Sequence, residues 1–328
     1  MPFSSESAPL AGKNLKKLNG VLPYILLTKS LQNAKIKNGM RKMKTLLHVN
    51  YHEGPGKLDE FFKIVNRFGY DGVELRGKYR YDDMDQAQFR KKAADFKADH
   101  PDKEVVFGYS VPFARGTEEE IKSNVDFMLD LMEYAKKECG TRVMNFFAGL
   151  VTTKGVSCNL ETSGSGIALE KDYERVAEGL KMIGKKAEEL DMLIALEMHN
   201  SYLHDLAKPT RKLLDMVGCD AVGANYDHGN IVLNKNGEKV EEVFEILQNK
   251  IYYAHLKNVF TVAGGAGGYM ITHLSDGCIN QYEVMKGLKK YLASDIIALE
   301  YPSRGDGIYG AKIDMEYIKF LKDELEID

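Results

Sequence analysis

Four short apolar runs in the second half of the chain each end at a side chain that can bind a metal ion. The runs occupy residues 193–196, 221–226, 251–254 and 296–299, and the side chains that close them are Glu197, Asp227, His255 and Glu300. A run that is apolar on both faces is typical of a strand buried on both sides. A carboxylate at its end must meet a cation, a hydrogen-bond donor or solvent. Four such endings in succession predict one site built from neighbouring strand ends.

Strand-like runs and helix-like stretches alternate along the chain from Lys44 onward. Strands are predicted at residues 45–49, 72–75, 104–108, 142–147, 192–197, 221–227, 251–255 and 295–300. Helices are predicted at residues 58–68, 86–100, 117–138, 171–190, 213–217, 238–249, 281–292 and 313–325. Eight units without a second block of composition predict a single-domain α/β fold, a (β/α)8 TIM barrel over residues 40–328. A doubly wound open sheet is the alternative, but the first strand is not followed by GxGxxG.

Composition and charge limit the classes of function. Apolar residues make up 44% of the chain and charged residues 28%, as in a globular protein. The net charge of −3 gives no broad attraction for nucleic acid or an acidic membrane, so we expect a small-molecule partner. No stretch reaches the roughly 18–20 apolar residues that span a bilayer. The four cysteines are far apart, which favours reduced thiols in a cytoplasmic protein over a disulfide framework.

Residues 1–39 differ from the rest of the chain. They mix Ser, Lys, Asn and Gly around one apolar stretch, residues 21–27, which Pro23 interrupts. An export signal would need a longer apolar core and a small-residue cleavage site. We therefore expect a dispensable N-terminal extension, or translation from an upstream start codon, with the barrel beginning near Met40.

Several short motifs carry a family resemblance in their order and spacing. They read GYDGVEL at residues 69–75, ALE at 195–197, DHGN at 227–230, HLKN at 255–258, LSDGCIN at 274–280 and LE at 299–300. From about residue 44 to the C-terminus, the chain resembles the xylose isomerase-like TIM barrels, the sugar and sugar-phosphate isomerases and epimerases. Related DNA-repair endonucleases with three zinc ions carry a histidine where this chain has Asn230. The resemblance therefore does not extend to their metal site.

The resemblance implies one divalent metal ion bound by the four strand-end residues, Glu197, Asp227, His255 and Glu300. Three carboxylates and one imidazole form a fairly hard, oxygen-rich donor set, which favours Mn²⁺, Mg²⁺ or Co²⁺. For each residue taken by itself, a salt-bridged or solvated strand end is the alternative.

The chemistry that this site suits is proton abstraction next to a carbonyl, through a metal-stabilised enediolate. Glu197 and Glu300 are the expected acid–base pair, so the predicted function is a sugar or sugar-phosphate isomerase or epimerase. Two alternatives stay open. One is a dehydratase of a polyol or keto-inositol on the same scaffold, and the other is a non-catalytic, metal-binding barrel that senses sugars. The sequence names neither the sugar nor the oligomeric state, a homo-oligomer included.

Four further residues are candidates for substrate binding. His199 could meet a substrate oxygen or a loop carbonyl, and Lys257 a substrate oxygen, a phosphate or a carboxylate of the protein. Glu74, at the end of the second strand, could face the substrate pocket or pair with Arg76 or another cation at the barrel mouth. Asn230 is expected to shape the mouth of the metal site. Arg304 is weighed as a substrate contact against a solvated loop charge, and the solvated charge is favoured.

Overall fold

Eight parallel strands close into a barrel in which every strand pairs with its neighbours in chain order. The barrel strands are β1 Lys44–His48, β2 Gly72–Arg76, β3 Glu104–Ser110, β4 Val143–Phe147, β5 Leu193–Glu197, β6 Val222–Tyr226, β7 Ile251–Leu256 and β10 Ile296–Leu299. Closure comes from β1, which pairs with β2 on one side and with β10 on the other. The predicted (β/α)8 TIM barrel is thereby confirmed.

This computed structural model describes residues 42–153, 155, 157–261, 268–300 and 305–328. The extension predicted at residues 1–39 lies outside these residues, and so does Arg304. The dispensability of the extension stays a prediction, which a chain beginning at Met40 would test through its folding and melting temperature.

The helices form the outer layer of the barrel, between successive strands. They are α1 Leu58–Phe68, α2 Gln86–Asp99, α3 Glu118–Cys139, α4 Glu170–Glu189, α5 Ala207–Val217, α6 His228–Ile231, α7 Val240–Leu247, α8 Gln281–Tyr291 and α9 Gly307–Glu324. Two predicted helix signals are present as expected. Gly69 ends α1 at φ 76°, and Thr117 forms a capping box with Glu120 at the start of α3. In the described part of the chain, no helix combines the length and the apolar character needed to cross a membrane.

Two features near the metal-capable residues differ from the predicted pattern. Asp227 and Glu300 were predicted within strands, but β6 ends at Tyr226 and β10 ends at Leu299. Asp227 instead caps the short helix α6, where its side chain accepts a hydrogen bond from the Asn230 N–H at 3.1 Å. Both carboxylates therefore follow their strands directly and are placed by the connecting loops.

An antiparallel hairpin after β7 was not predicted. It pairs β8, Asn258–Thr261, with β9, Tyr269–Thr272, and lies outside the barrel sheet. Only one residue separates β7 from β8, so no turn signal lies between them. The last helix also begins earlier than predicted, at Gly307. A Cβ at this position would lie 1.8 Å from the Tyr51 carbonyl oxygen, so glycine permits close packing where it would otherwise suggest a loop.

Candidate functional site

The site continues the packed interior of the barrel toward the C-terminal ends of the strands. Side chains two apart on a strand face the same side, so the interior of a barrel can be followed by steps of two. A buried cluster includes Leu46, Val106, Val143, Ala195 and Ala298. Two residues further along the same strands lie His48, Gly108, Asn145, Glu197 and Glu300. The change from apolar to polar residues at this step marks the mouth of the barrel, where barrel enzymes carry their chemistry.

Glu197, Asp227, His255 and Glu300 meet at this mouth, as a group that could hold a metal ion. Each offers one ligand atom, and these atoms all lie within 4.8 Å of one another. The first three residues are buried, and the side chain of Glu300 is 13% exposed. The structure thus brings together the four residues that the sequence singled out, at a spacing that one ion can bridge.

The His255 imidazole fits a metal ligand because its two nitrogens have different surroundings. Nε2 lies 2.7 Å from Oε2 of Glu74, which accepts a hydrogen bond from it. Nδ1 is buried and has no hydrogen-bond partner among the described residues. It faces carboxylate oxygens of Glu197 at 3.3 Å and Glu300 at 3.4 Å. A lone pair turned toward carboxylates is unfavourable unless a cation lies between them.

The charges of the cluster also fit a divalent cation. The Lys257 ammonium lies 2.8 Å from Asp227 Oδ2 and 2.7 Å from Glu300 Oε2. With Glu197 ionised as well, three carboxylates and one ammonium leave a charge of −2. Burial, together with repulsion from Glu300 and Glu197, raises the pKa of Asp227 to about 7 despite the nearby Lys257. A cation of charge +2 would remove this repulsion.

Glu74 lies beneath the cluster and positions His255. Its side chain is fully buried and accepts hydrogen bonds from His255 Nε2, from the Tyr253 hydroxyl at 2.8 Å and from Asn145 Nδ2 at 3.0 Å. A carboxylate on the outer nitrogen of a histidine fixes the ring and turns the other nitrogen toward a metal. The sequence left a pair with Arg76 or another cation of the barrel mouth as the alternative; among the described residues Glu74 makes no ion pair with Arg76, and its partner is His255.

Arg76 is instead held by Glu53. Its Nε lies 2.8 Å from Glu53 Oε1, and its Nη2 lies 2.9 Å from Glu53 Oε2. The same guanidinium also donates to the side-chain oxygen of Asn50. This paired arginine lies on the wall of the mouth, away from the hydrogen bonds that Glu74 makes.

Two asparagines align the carboxylates. Asn145, which sequence reasoning missed, donates to Glu197 Oε2 at 2.7 Å as well as to Glu74. Its signal was its position, because it is the one polar residue in β4. Asn230 donates to Asp227 Oδ2 at 2.8 Å and to the Met198 carbonyl at 2.9 Å. It therefore contacts a metal-capable residue directly.

Two adjoining cavities open over the cluster, with volumes of about 420 and 260 Å³. Both are in or near the range of small-molecule pockets. The residues that line both are Arg76, Phe147, Glu197, His199 and Glu300. Asn230 and Lys257 line the smaller cavity, and Glu74 lies at the floor of the larger one. Of the residues predicted for the site, all but Asp227 and His255 thus border one divided cleft.

His199 belongs to an aromatic wall of this cleft. Its ring lies 5.7 Å from that of Phe147 and 5.5 Å from that of Tyr202, edge to face in both cases. Its Nδ1 lies 3.0 Å from the Asn200 carbonyl oxygen, the loop contact that the sequence left as an alternative. Since that contact uses one ring nitrogen, Nε2 remains for a ligand in the cleft.

Comparison with curated proteins finds relatives of low identity. An inosose dehydratase of Clostridium perfringens (strain 13 / Type A) is 24% identical over 217 residues. The match covers 62% of this chain and 65% of the relative, which is less than two thirds of the relative's length.

Solved structures share the fold at lower identity. A probable 3-DHS dehydratase of Bacillus anthracis has a TM-score of 0.66 at 17% identity and covers 84% of this chain and 99% of its own. An L-ribulose 3-epimerase has a TM-score of 0.66 at 15% identity, with coverages of 86% and 95%. A xylose isomerase-like TIM barrel protein of Mycobacterium smegmatis, in complex with magnesium, has a TM-score of 0.64 at 15% identity, with coverages of 86% and 98%.

A family model settles the relationship that these similarities suggest. The model described as "Xylose isomerase-like TIM barrel" matches residues 62–322, most of the barrel. The motifs that carried the resemblance at the sequence level lie within or beside this match, and the closed barrel has the expected architecture. The chain therefore belongs to the xylose isomerase-like TIM barrel family.

Proposed function

We propose that the protein is a metal-dependent isomerase or epimerase of a sugar or sugar phosphate. It transfers a proton at a carbon next to a carbonyl group. The observation that carries this proposal is the placement of Glu197 and Glu300. Both belong to the metal-capable cluster, and both line the two cavities of the cleft.

The residues that would hold the ion are Glu197, Asp227, His255 and Glu300. Their hard donor set suits Mn²⁺, Mg²⁺ or Co²⁺, and the magnesium in the Mycobacterium smegmatis relative supports a divalent ion here. When bound, such an ion stabilises negative charge that develops on the carbonyl oxygen of a substrate. Glu74 and Asn145 keep the ligands in place through the hydrogen bonds described above.

Glu197 and Glu300 are the acid–base pair of the proposal. Burial raises the pKa of Glu197, but a protonated His255 outweighs it and brings the pKa to about 2. A divalent ion bound in place of that proton would lower the pKa in the same direction. Burial likewise raises the pKa of Glu300, but Lys257 and His255 hold it well below its usual value. Both side chains are therefore ionised at neutral pH, the state in which a carboxylate accepts a proton from carbon. Return of the proton to the opposite face gives an epimer, and its delivery to the neighbouring carbon gives the aldose–ketose isomer.

A dehydratase is the second candidate, because the inosose dehydratase of Clostridium perfringens is among the sequence relatives. In that reaction, a carboxylate removes the proton next to the carbonyl. The hydroxyl on the following carbon then accepts a proton and leaves as water, with a carbon–carbon double bond formed. His199, which borders both cavities, would give that proton from Nε2 in its imidazolium form, since Nδ1 donates to the Asn200 carbonyl.

The test is turnover of a panel of ketoses, aldoses and keto-polyols in D₂O with Mn²⁺ or Mg²⁺. We expect deuterium at the carbon next to the carbonyl and a product with the composition of the substrate. A product that has lost one water identifies the dehydratase. Bound sugars that stay intact across the panel support the sensing barrel. Product without solvent deuterium, from a Glu300→Gln variant that is active and loaded with metal, would contradict the proton-transfer assignment.

A further inference from the structure

The loop after β2 places two unpaired cations on the wall of the larger cavity. The segment reads Arg76-Gly77-Lys78-Tyr79-Arg80, and all its residues except Gly77 line that cavity. Arg76 is neutralised by Glu53, as described above. Lys78 and Arg80 are exposed, and they make no hydrogen bond or ion pair with any described residue. The cavity that reaches Glu197 and Glu300 therefore also carries two positive charges that have no ion-pair partner among the described residues, although Glu53 attracts Arg80 without pairing with it.

The backbone of this loop is fixed. The Gly77 N–H donates to the Gly108 carbonyl at 2.8 Å, and a Cβ on Gly77 would lie 2.5 Å from a methyl group of Leu131. The Gln86 amide accepts from the Tyr79 N–H and donates to the Gly77 carbonyl, both at 2.9 Å. The Tyr79 ring stacks on Phe89. Because hydrogen bonds hold Gly77 and Tyr79, the backbone that carries Lys78 and Arg80 is preorganised. This reduces the entropy lost when a ligand binds.

The electrostatics of the cavity favour an anion beside these cations. Partial burial, with repulsion from Arg76, lowers the pKa of Arg80 although Glu53 raises it. Glu74, Glu197 and Glu300 line the same cavity. An anionic group of a ligand would be repelled by these carboxylates and attracted by Lys78 and Arg80, and this contrast would orient the ligand in the cavity. A guanidinium also matches a phosphate or carboxylate by paired hydrogen bonds.

We propose that the substrate carries a phosphate or carboxylate group that Lys78 and Arg80 bind, while its carbonyl end reaches the carboxylate cluster. This inference rests on the proposed function for the carbonyl end and adds the class of substrate. A cavity of about 420 Å³ accommodates a ligand of this size.

The experiment measures binding by calorimetry to the full chain loaded with Mg²⁺. D-fructose is compared with its 1-phosphate and 6-phosphate, and D-glucose with D-glucuronate, so that the phosphate and carboxylate sources are distinguished. We expect at least one anionic sugar to bind on the order of tenfold more tightly than its neutral partner, as for charge-assisted hydrogen bonds. The preference should shrink at high salt, because exposed charges are screened.

Variants separate the wall cations from the metal, which also attracts anions. In Lys78→Met/Arg80→Met, the preference should fall to about twofold while neutral sugars bind as before. Arg80→Lys should keep part of the preference for anionic sugars. Lys63→Met, which removes an exposed cation on α1, should keep all of the preference. Circular dichroism and metal content confirm that the variants are folded and loaded.

Three results would overturn the inference. They are equal binding of neutral and anionic sugars by the wild-type chain, an unchanged preference in the double variant, and no binding of any member of the panel. Because binding is read without turnover, a clear preference without deuterium exchange would reject the proposed function and leave the anion site standing.

Discussion

Glu197 and Glu300 are the same kind of residue at two strand ends of one barrel, yet the protein holds them differently. Glu197 is the last residue of β5, and its side chain is 2% exposed. Its oxygens meet the neutral amides of Asn145 and Asn230. Glu300 follows the end of β10, is 13% exposed, and meets the Lys257 ammonium at 2.7 Å and the Asn50 amide at 3.0 Å.

This difference separates two ways of keeping a carboxylate ionised at a barrel mouth. At the β5 end, burial is offset by fixed dipoles and by His255, so the geometry is set by the strand. At the β10 end, the buried ammonium of Lys257 offsets the charge, and the carboxylate keeps access to the cleft. We infer that the β5 end mainly fixes the ion, while the β10 end is the better placed of the two to exchange a proton with substrate.

The largest expected effect comes from removing either carboxylate. Glu197→Gln and Glu300→Gln should each lower kcat by ~10²–10⁴, the usual contribution of a general acid or base. Metal content distinguishes them, since Glu197→Gln should bind less Mn²⁺ than Glu300→Gln. Activity and metal analysis on the same preparations check this. Equal metal loss in both variants would remove the proposed division of roles.

Lys257→Met tests the cation on which the β10 end depends. It leaves Asp227 and Glu300 without an ammonium at 2.8 and 2.7 Å, and breaking a buried pair in this way costs about 3–5 kcal/mol of unfolding free energy. We expect this loss of unfolding free energy in the metal-free protein and a partial recovery when Mg²⁺ is added. Urea unfolding measures both. The matched control is Lys250→Met, which breaks a more exposed pair with Asp220 and should cost less than about 1 kcal/mol.

Asp205→Asn tests how firmly the loop after β5 is held. Burial raises the pKa of Asp205 from 3.8 to about 6 in the folded protein. Because the folded value lies above the unfolded one, this group favours folding most below pH 3.8, and that stability is lost as the pH rises through about 6. At pH 8 the variant should therefore unfold at a higher temperature than wild type, because its free energy of unfolding is larger by up to ~3 kcal/mol. The difference should vanish near pH 4. Thermal melts across this range measure it, and a constant difference would count against the assignment.

Glu74→Gln sharpens the comparison from below the cluster. The variant removes the charge that orients His255. His255 lies on β7, and so belongs to neither the β5 end nor the β10 end. We expect the Kd for Mn²⁺ to rise by about 10–100-fold, the usual effect of a lost hydrogen-bond partner of a ligand. Glu53→Gln is the control, because Glu53 pairs with Arg76 on the wall of the cleft. An unchanged Kd in Glu74→Gln would mean that barrel packing alone orients the imidazole.

Much of this protein could be predicted from period and residue type. The eight strand–helix units, the barrel and the convergence of Glu197, Asp227, His255 and Glu300 follow from apolar runs that end in polar residues. Buried strands impose that pattern because each inward side chain must be apolar until the strand reaches the mouth. The β8–β9 hairpin escaped prediction because β8 follows β7 after a single residue, without a turn signal that would separate the two strands.

The sequence by itself determined the fold and the residue types at the mouth, since alternation and burial act locally along each strand. Only the tertiary structure decided how those residues divide their work. It turned Glu74 to the outer nitrogen of His255, set Asn145 between two carboxylates, and left Lys78 and Arg80 beside the cleft without an ion-pair partner among the described residues. These relations join strands and loops far apart in the chain, and barrel closure alone brings them within hydrogen-bonding distance.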